Sequence, residues 1–313
     1  MKRITVFTLI ALLGISVISA DESLLVGSTD GSVVLCSPNP GKIADYPGMH
    51  GDSVYALGAS PDGKIAVSGD KNGNMVIWNT EAKTGKEISR AHVSTIRSIA
   101  FSSDGSFFVT GGKDRLVYTW NTATGEKMAK LKGHKSYVYG VAVSPDGTRI
   151  ASVGSDNLLI LWETESGKRL EVKRNAHYKA IYAVQFSHDG SRIYTASADT
   201  FIRVWDAATL DEIKTLEGHD NEVTSLALSP DGSLMISGSR DQKIIVWDTA
   251  SLSEKKVIPF PENIYAVGID FSNDGSFAIV GDSSGNIVEL DVNTLSIIHS
   301  AMIEPMKSIT RLW

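Results

Sequence analysis

One structural unit recurs along the chain every 42 or 43 residues, and this period restricts the possible folds more than any other feature. Six turns of the form Ser-x-Asp-Gly mark the units, and a tryptophan follows five of these turns at a constant distance. Short apolar runs separated by turn signals at a regular interval are typical of an all-β repeat protein. The turn glycines are Gly63, Gly105, Gly147, Gly190, Gly232 and Gly275, and the tryptophans are Trp78, Trp120, Trp162, Trp205 and Trp247.

Ser152, Asp156 and His134 are the residue types of a hydrolase triad, in which a base activates a hydroxyl and a carboxylate orients the base. The same types recur in five units, at fixed distances from each tryptophan. A catalytic triad would not be needed five times at one spacing, so we interpret the sets as structural. By unit, they are His50, Ser68, Asn72, Trp78; His92, Thr110, Asp114, Trp120; His134, Ser152, Asp156, Trp162; His177, Thr195, Asp199, Trp205; and His219, Ser237, Asp241, Trp247.

These sets, with "GH" at 133–134 and 218–219 and "WD" at 205–206 and 247–248, resemble the WD40 family of β-propellers. The resemblance runs from about residue 24 to the C-terminus. It implies that each set is a hydrogen-bonded tetrad, which ties the loop before one strand to the sheet behind it. The chemistry is compatible with this role, because buried imidazole, hydroxyl, carboxylate and indole groups all need partners.

The two ends of the repeat region predict how the propeller closes. Residues 24–36 align with the second and third strands of a unit, whereas residues 308–313 align with a first strand. Together the two fragments make one whole unit. We therefore expect an all-β, seven-bladed propeller over residues 21–313, whose seam blade is closed by the C-terminal strand. Such closure removes exposed sheet edges.

The first twenty residues have the pattern of a secretory signal peptide. Lys2 and Arg3 precede a largely apolar run over residues 4–17, and Ala20 provides a small residue at the expected cleavage point. The alternative is an uncleaved membrane anchor, although the run is shorter than the roughly 20 apolar residues that a span needs. We expect export to a periplasm, cell surface or extracellular space, or into the secretory pathway of a eukaryote, with no stable membrane insertion after cleavage.

Charge and motif content disfavour several classes of function. The formal net charge is −6 and the cations are scattered, whereas nucleic-acid binding calls for a basic stripe. The sequence has neither a Cys/His zinc cluster nor a haem-attachment motif, so we expect no metal and no cofactor. With the Ser-His-Asp sets assigned to structure, we also expect no enzymatic activity.

The resemblance implies that partners bind the top face of the propeller. Contacts there come from residues three and five positions past the tetrad histidine and from the residue before the tetrad acid. Tyrosine and arginine at such positions favour protein interfaces. In the two degenerate repeats beside the seam, Tyr265 and Thr310 are the expected counterparts. The candidate residues are Tyr55, Lys71, Arg97, Lys113, Tyr137, Tyr139, Tyr182 and Arg240.

The sequence thus predicts an exported, non-catalytic scaffold that binds a protein or peptide on its top face. Two alternatives stay open. The tyrosines at the strand starts could merely pack the mouth of the channel. A propeller of this kind could also bind or turn over a small ligand in its central channel, which would need convergent ionisable groups near the axis.

Overall fold

The computed structural model describes seven antiparallel sheets of four strands each, and every regular element in the described part of the chain is a β-strand. In each sheet the strands follow one another in chain order as a meander, because short turns join neighbouring runs of apolar alternation. The described residues are 15–18, 23–27, 31–37, 41–45, 48–261, 264–283 and 286–302.

Six of the sheets are blades that are each built from one complete repeat, and we number them 1 to 6 in chain order. The first three blades extend from residue 54 to residue 173. Their strands are β5 (Val54–Ala59), β6 (Ile65–Asp70), β7 (Met75–Asn79) and β8 (Thr84–Ile88); β9 (Ile96–Phe101), β10 (Phe107–Gly112), β11 (Leu116–Asn121) and β12 (Lys127–Lys132); and β13 (Val138–Val143), β14 (Arg149–Gly154), β15 (Leu159–Glu163) and β16 (Arg169–Lys173).

Blades 4 to 6 continue the same pattern to residue 302. Their strands are β17 (Ile181–Phe186), β18 (Arg192–Ser197), β19 (Ile202–Asp206) and β20 (Glu212–Leu216); β21 (Val223–Leu228), β22 (Leu234–Ser239), β23 (Lys243–Asp248) and β24 (Ser253–Pro259); and β25 (Ala266–Phe271), β26 (Phe277–Asp282), β27 (Asn286–Asp291) and β28 (Ser296–Met302).

A further sheet comes from the N-terminal residues and differs from the predicted seam. Its strands are β1 (Ile15–Ile18), β2 (Ser23–Gly27), β3 (Val33–Ser37) and β4 (Gly41–Asp45). Strand β1 pairs with β2 and contacts both β5 and β25, so this sheet lies between blade 1 and blade 6.

The predicted seven-bladed ring with a seam closed by the C-terminal strand is therefore wrong. Six blades are built from complete repeats, and in the N-terminal sheet residues 15–18 take the place that was predicted for residues 308–313. The prediction failed because an apolar run that is typical of a signal peptide also has the composition of a buried strand. Residues 308–313 lie outside the described part of the chain.

The first strand of each blade lines the central channel. Strands β5, β9, β13, β17, β21 and β25 contact one another in succession, and we call them the inner strands. The Ser-x-Asp-Gly turns follow the inner strands at one end of the propeller, which we call the bottom face. The loops before the inner strands and the loops between the second and third strands lie at the opposite end, which is the top face.

The hydrophobic core lies between neighbouring blades. Each apolar cluster combines side chains from two adjacent sheets, as where Val109 and Leu131 of blade 2 pack with Ile150 and Trp162 of blade 3. The five repeat tryptophans are almost completely buried. Because each blade buries its face against the next, the top-face loops are mounted on a rigid support.

Candidate interaction surface at the channel mouth

Four of the predicted tetrads form as complete hydrogen-bonded sets. In blade 3, His134 Nε2 lies 2.8 Å from Ser152 Oγ, and Trp162 Nε1 donates to the same oxygen at 2.8 Å. His134 Nδ1 lies 3.0 Å from Asp156 Oδ1. The sets of His92, His177 and His219 have the same connections, with histidine-to-hydroxyl distances of 2.7 to 2.8 Å. Each tetrad joins the loop before an inner strand to the second and third strands.

In blade 1 the acid of the tetrad is Asp70, and the prediction of Asn72 is wrong. His50 Nε2 lies 2.6 Å from Ser68 Oγ, but its Nδ1 faces Asp70 Oδ2 at 3.3 Å. The Asn72 side chain donates instead to Asp52 at 3.4 Å. Asp70 also accepts from the backbone and side chain of Asn74, and blade 6 repeats this pattern with Asp282 and Asn286. The sequence pattern that marks this arrangement is Asp-x-x-x-Asn. The prediction assumed a constant spacing between the acid and the tryptophan, and Asp70 does not have that spacing.

The electrostatics of the tetrads that contain His92 and His177 favour neutral histidines beside ionised carboxylates. Burial lowers the pKa of His92 and His177, against the opposing effect of the neighbouring aspartates. Burial alone would raise the pKa of Asp199, but the hydrogen bond from His177 holds that pKa at about 2. A neutral ring that donates from Nδ1 to the carboxylate accepts at Nε2, so the hydroxyl donates to the ring and accepts from the indole.

This arrangement leaves the hydroxyls without the access that a nucleophile needs. Ser152 is 0% exposed, and its oxygen is engaged by both the imidazole and the indole of Trp162. A substrate carbonyl would have to displace the indole to reach the oxygen. The geometry therefore supports a structural role for the tetrads.

A β-bulge in every inner strand defines the channel mouth. The pairing with the second strand shifts register after the first residue of the inner strand in all six blades, so that the second residue is left unpaired. Bulges of this kind redirect a side chain. The six bulge residues are Tyr55, Arg97, Tyr139, Tyr182, Thr224 and Val267.

Four of the bulge residues form a continuous chain of contacts across blades 1 to 4. The Arg97 guanidinium lies between two rings, 5.5 Å from the centroid of Tyr55 and 5.3 Å from that of Tyr139. The Tyr139 and Tyr182 rings are 5.4 Å apart. The chain continues into blade 5, because Tyr182 Oη donates to Glu222 at 3.3 Å and Arg240 Nε lies 3.2 Å from the same carboxylate.

Burial shifts the pKa values of the side chains in this series of contacts. Arg97 is only 3% exposed, and this burial lowers its pKa to about 10, so the guanidinium is still charged at neutral pH. Burial raises the pKa of Tyr139 and of Tyr182. The charged Arg97 therefore lies among aromatic rings, and it is covered by its neighbours instead of being presented to a partner.

The remaining predicted residues are more accessible. Tyr137 is 44% exposed, and the Lys113 ammonium lies 5.6 Å above its ring. Lys71 is exposed and pairs with Asp52 at 3.8 Å. In blade 6 the bulge residue is Val267, whereas Tyr265 takes the place that Tyr137 has in blade 3. In both blades a backbone N–H from the loop between the second and third strands donates to the tyrosine carbonyl.

Sequence reasoning missed the residues directly after the tetrad histidines. Val93 and Tyr178 are 79% and 77% exposed, and Lys135 is exposed at the same position of blade 3. Their backbone N–H groups donate to the tetrad aspartates at distances of 2.6 to 3.2 Å. The sequence signal that could have identified these residues is their constant position, one residue after a tetrad histidine.

The central channel contains a cavity of about 330 Å³ below the mouth. Its wall is formed largely by backbone and small or apolar side chains of the inner strands, such as Ala56, Ile99 and Gly140. Among the described residues, no group of three or more His, Cys, Asp and Glu side chains could hold a metal ion. The described part of the chain also contains no helix that is long and apolar enough to span a membrane.

Comparison with known proteins gives one family match. A family model described as "WD domain, G-beta repeat" matches five consecutive segments that together cover more than half of the chain. No curated protein matches the chain. Each matched segment ends one residue after one of the five repeat tryptophans. The segments are residues 45–79, 85–121, 125–163, 168–206 and 210–248.

Proposed function

Because the chain belongs to the WD40 family, we propose that it is an exported, non-catalytic scaffold that binds a protein or peptide on its top face. Propellers of this family typically act as protein-interaction scaffolds. The observation that carries the proposal is the exposure of Tyr137 beside Lys113 on loops that the tetrads hold in place. A rigid aromatic side chain next to a cation is a common anchor in protein interfaces.

The geometry gives less support to catalysis in the channel. The tetrad hydroxyls are buried, and the ionisable groups at the mouth are mostly tyrosines and arginines that contact one another. General acid–base chemistry calls for groups whose pKa lies near the operating pH. The cavity of about 330 Å³ favours binding of a small ligand as the second candidate function, and saturable binding of a small molecule that fails when Tyr139 is changed would support it.

Export is the second part of the proposal. It is supported by the basic start, the apolar run over residues 4–17 and the small residue Ala20. Cleavage after Ala20 would remove strand β1, whereas an uncleaved chain keeps it. Intact-mass measurement of the exported protein should give a mature N-terminus at Asp21. Retention of Met1 to Ala20 would contradict cleavage and favour an anchor.

The docking face is tested by recovery of partners from the exported fraction. Purified protein is compared with a top-face variant, Lys113→Ala with Tyr137→Ala, and with a bottom-face control, Lys64→Ala with Lys168→Ala. The controls are exposed lysines at turns on the opposite face. We expect the top-face variant to lose the partner, because its binding free energy should weaken by about 2 kcal/mol or more. The control should retain the partner. Loss of binding by the control alone would refute the proposal.

A further inference from the structure

Three exposed apolar or aromatic side chains lie on successive top-face loops. Val93, Tyr137 and Tyr178 belong to the loops that precede the inner strands of blades 2, 3 and 4. The loops are held by hydrogen bonds to the tetrads, since Val93 N–H donates to Asp114 at 3.2 Å and Tyr178 N–H donates to Asp199 at 3.0 Å. The Tyr178 ring is also backed by Arg203, 5.0 Å from the ring centroid. These side chains are presented on an ordered support.

The same loops have a strong excess of positive charge. The top-face loops of blades 2 to 4 comprise residues 89–95, 113–115, 133–137, 155–158, 174–180 and 198–201. They contain three acids, Asp114, Asp156 and Asp199, and each of these is held by a tetrad histidine. Their six cations are Arg90, Lys113, Arg115, Lys135, Arg174 and Lys179. We call these cations together with Val93, Tyr137 and Tyr178 the basic crescent.

The adjoining blade shows that the crescent is a local feature. In blade 5 the top-face charges form pairs, because Arg240 contacts Glu222 at 3.2 Å and Lys243 contacts Asp220. The formal charge of the whole chain is −6, so the excess of cations in the crescent is opposite in sign to the net charge of the protein. A local field of this kind attracts and orients a partner of opposite sign.

We infer that the basic crescent binds an acidic peptide segment that also carries apolar side chains, an inference that rests on the proposed top-face function. Carboxylates would pair with the lysines and arginines, and apolar side chains would cover Val93, Tyr137 and Tyr178. A nucleic acid would complement the cations and could stack on the tyrosines, but it offers nothing apolar for Val93 and would be repelled by the rest of the acidic surface.

The test uses the full chain and labelled peptides of about twelve residues, long enough to cross two or three blades in an extended conformation. The first peptide alternates Glu and Leu, the second replaces Leu by Ser, and the third replaces Glu by Lys. A single-stranded oligonucleotide of similar length is the fourth probe. We expect the Glu/Leu peptide to bind best, with the Ser peptide weaker by about tenfold and with affinity that falls as salt rises.

Matched variants locate the binding. Lys135→Glu with Lys179→Glu should lower the affinity for the Glu/Leu peptide by about tenfold, and Tyr178→Ser should lower it by a similar factor. Lys64→Glu with Lys168→Glu, and Ile213→Ser on an outer strand, are exposed controls that should change binding less than about twofold. If a charge-reversed protein does not fold, Lys135→Gln with Lys179→Gln replaces it, and melting temperatures verify the fold.

The outcomes separate this inference from the proposed function. Tighter binding of the oligonucleotide or the Lys peptide than of the Glu/Leu peptide would overturn the inference. The Glu/Leu peptide could fail to bind while a recovered partner still needs Lys113 and Tyr137. That result would overturn the inference that the partner is an acidic peptide, but it would leave the proposed top-face function intact. A recovered partner that is insensitive to every top-face change would refute both.

Discussion

At the scale of single residues, Ser152, His134 and Asp156 have the hydrogen-bond distances of a hydrolase triad. Two features distinguish the set from an active site: the Trp162 indole donates to the serine oxygen, and the serine is completely buried. The hydroxyl thereby joins two sheet strands to the preceding loop. Chemistry and spacing alone could not separate the two roles, but fivefold repetition could.

Ser152→Ala should destabilise the fold without creating a local void. Removal of the hydroxyl leaves both the His134 ring and the Trp162 indole without their buried partner. We expect a loss of about 1–3 kcal/mol in the free energy of unfolding, measured by urea titration. Ser166→Ala, at an exposed turn of the same blade, is the control and should change stability by less than about 0.5 kcal/mol. Equal effects of the two changes would contradict the role of Ser152 as the shared hydrogen-bond partner of His134 and Trp162.

Asp70 and Asn72 provide a direct comparison between two candidate acids. Asp70 is buried and contacts His50 and Asn74, whereas Asn72 is exposed. Asp70→Ala should therefore cost about 1–3 kcal/mol in the free energy of unfolding. Asn72→Ala should cost less than about 0.5 kcal/mol. The reverse order in denaturant unfolding would restore Asn72 to the tetrad.

The tetrads predict that stability falls on acidification. Burial places the pKa of His92 and His177 below the ordinary value of 6.5, and the pKa of Asp199 is about 2 instead of 3.8. The unfolded chain therefore takes up protons first as pH falls. The stabilisation should be complete above about pH 6.5, decline below it, and decline again between about pH 4 and pH 2.

Urea unfolding at a series of pH values measures this dependence. His177→Gln should reduce the decline that begins near pH 6.5, because it removes one of the groups whose pKa is lowered by folding. His188→Gln, which changes an exposed histidine at a bottom-face turn, is the control and should leave the decline unchanged. Stability that rises between pH 7 and pH 5 would show the opposite sign of linkage.

At the scale of secondary-structure elements, the bulge in each inner strand is the feature that organises the channel mouth. It leaves one residue of each blade unpaired, and in blades 1 to 4 these residues are aromatic or cationic and contact one another. Arg97 thus links blade 2 to blades 1 and 3. Its burial makes it a part of the scaffold more than a contact for a partner.

Arg97→Ala should accordingly reduce stability. The change removes a desolvated cation from between two tyrosine rings, and such contacts contribute up to about 2 kcal/mol before the loss of packing is added. We expect a loss of about 2 kcal/mol or more in the free energy of unfolding. Lys135→Ala, an exposed cation on the same face, is the control. Unchanged stability of Arg97→Ala would contradict a structural role for the guanidinium.

Much of this arrangement was readable from the sequence, for reasons that the structure makes plain. Periodicity identified the blades and the tetrads because Trp162 and its counterparts recur at a constant step. The burial of Arg97 was not readable, since it depends on rings from two neighbouring blades. Val93 and Tyr178 were missed because their exposure results from loop conformation. Asp70 was missed because its role comes from a local turn with Asn74.

At the scale of the whole molecule, six repeat-built blades and an N-terminal sheet surround a central channel with different chemistry at its two faces. The bottom face carries the aspartates of the Ser-x-Asp-Gly turns, each of which accepts a hydrogen bond from its serine, as Asp146 does from Ser144 at 2.5 Å. The top face carries the basic crescent. The crescent and the bottom-face turns therefore carry charge of opposite sign, and this difference orients an acidic partner toward the crescent.

Docking of a partner on the top face is tested most directly by hydrogen–deuterium exchange with the partner recovered from the exported fraction. The amides of residues 89–95, 133–137 and 174–180 should exchange more slowly in the complex, because docking covers these loops. The bottom-face turns at residues 60–64, 102–106 and 144–148 should exchange at unchanged rates. Protection of the bottom-face turns with no change in the three top-face loops would contradict the assignment.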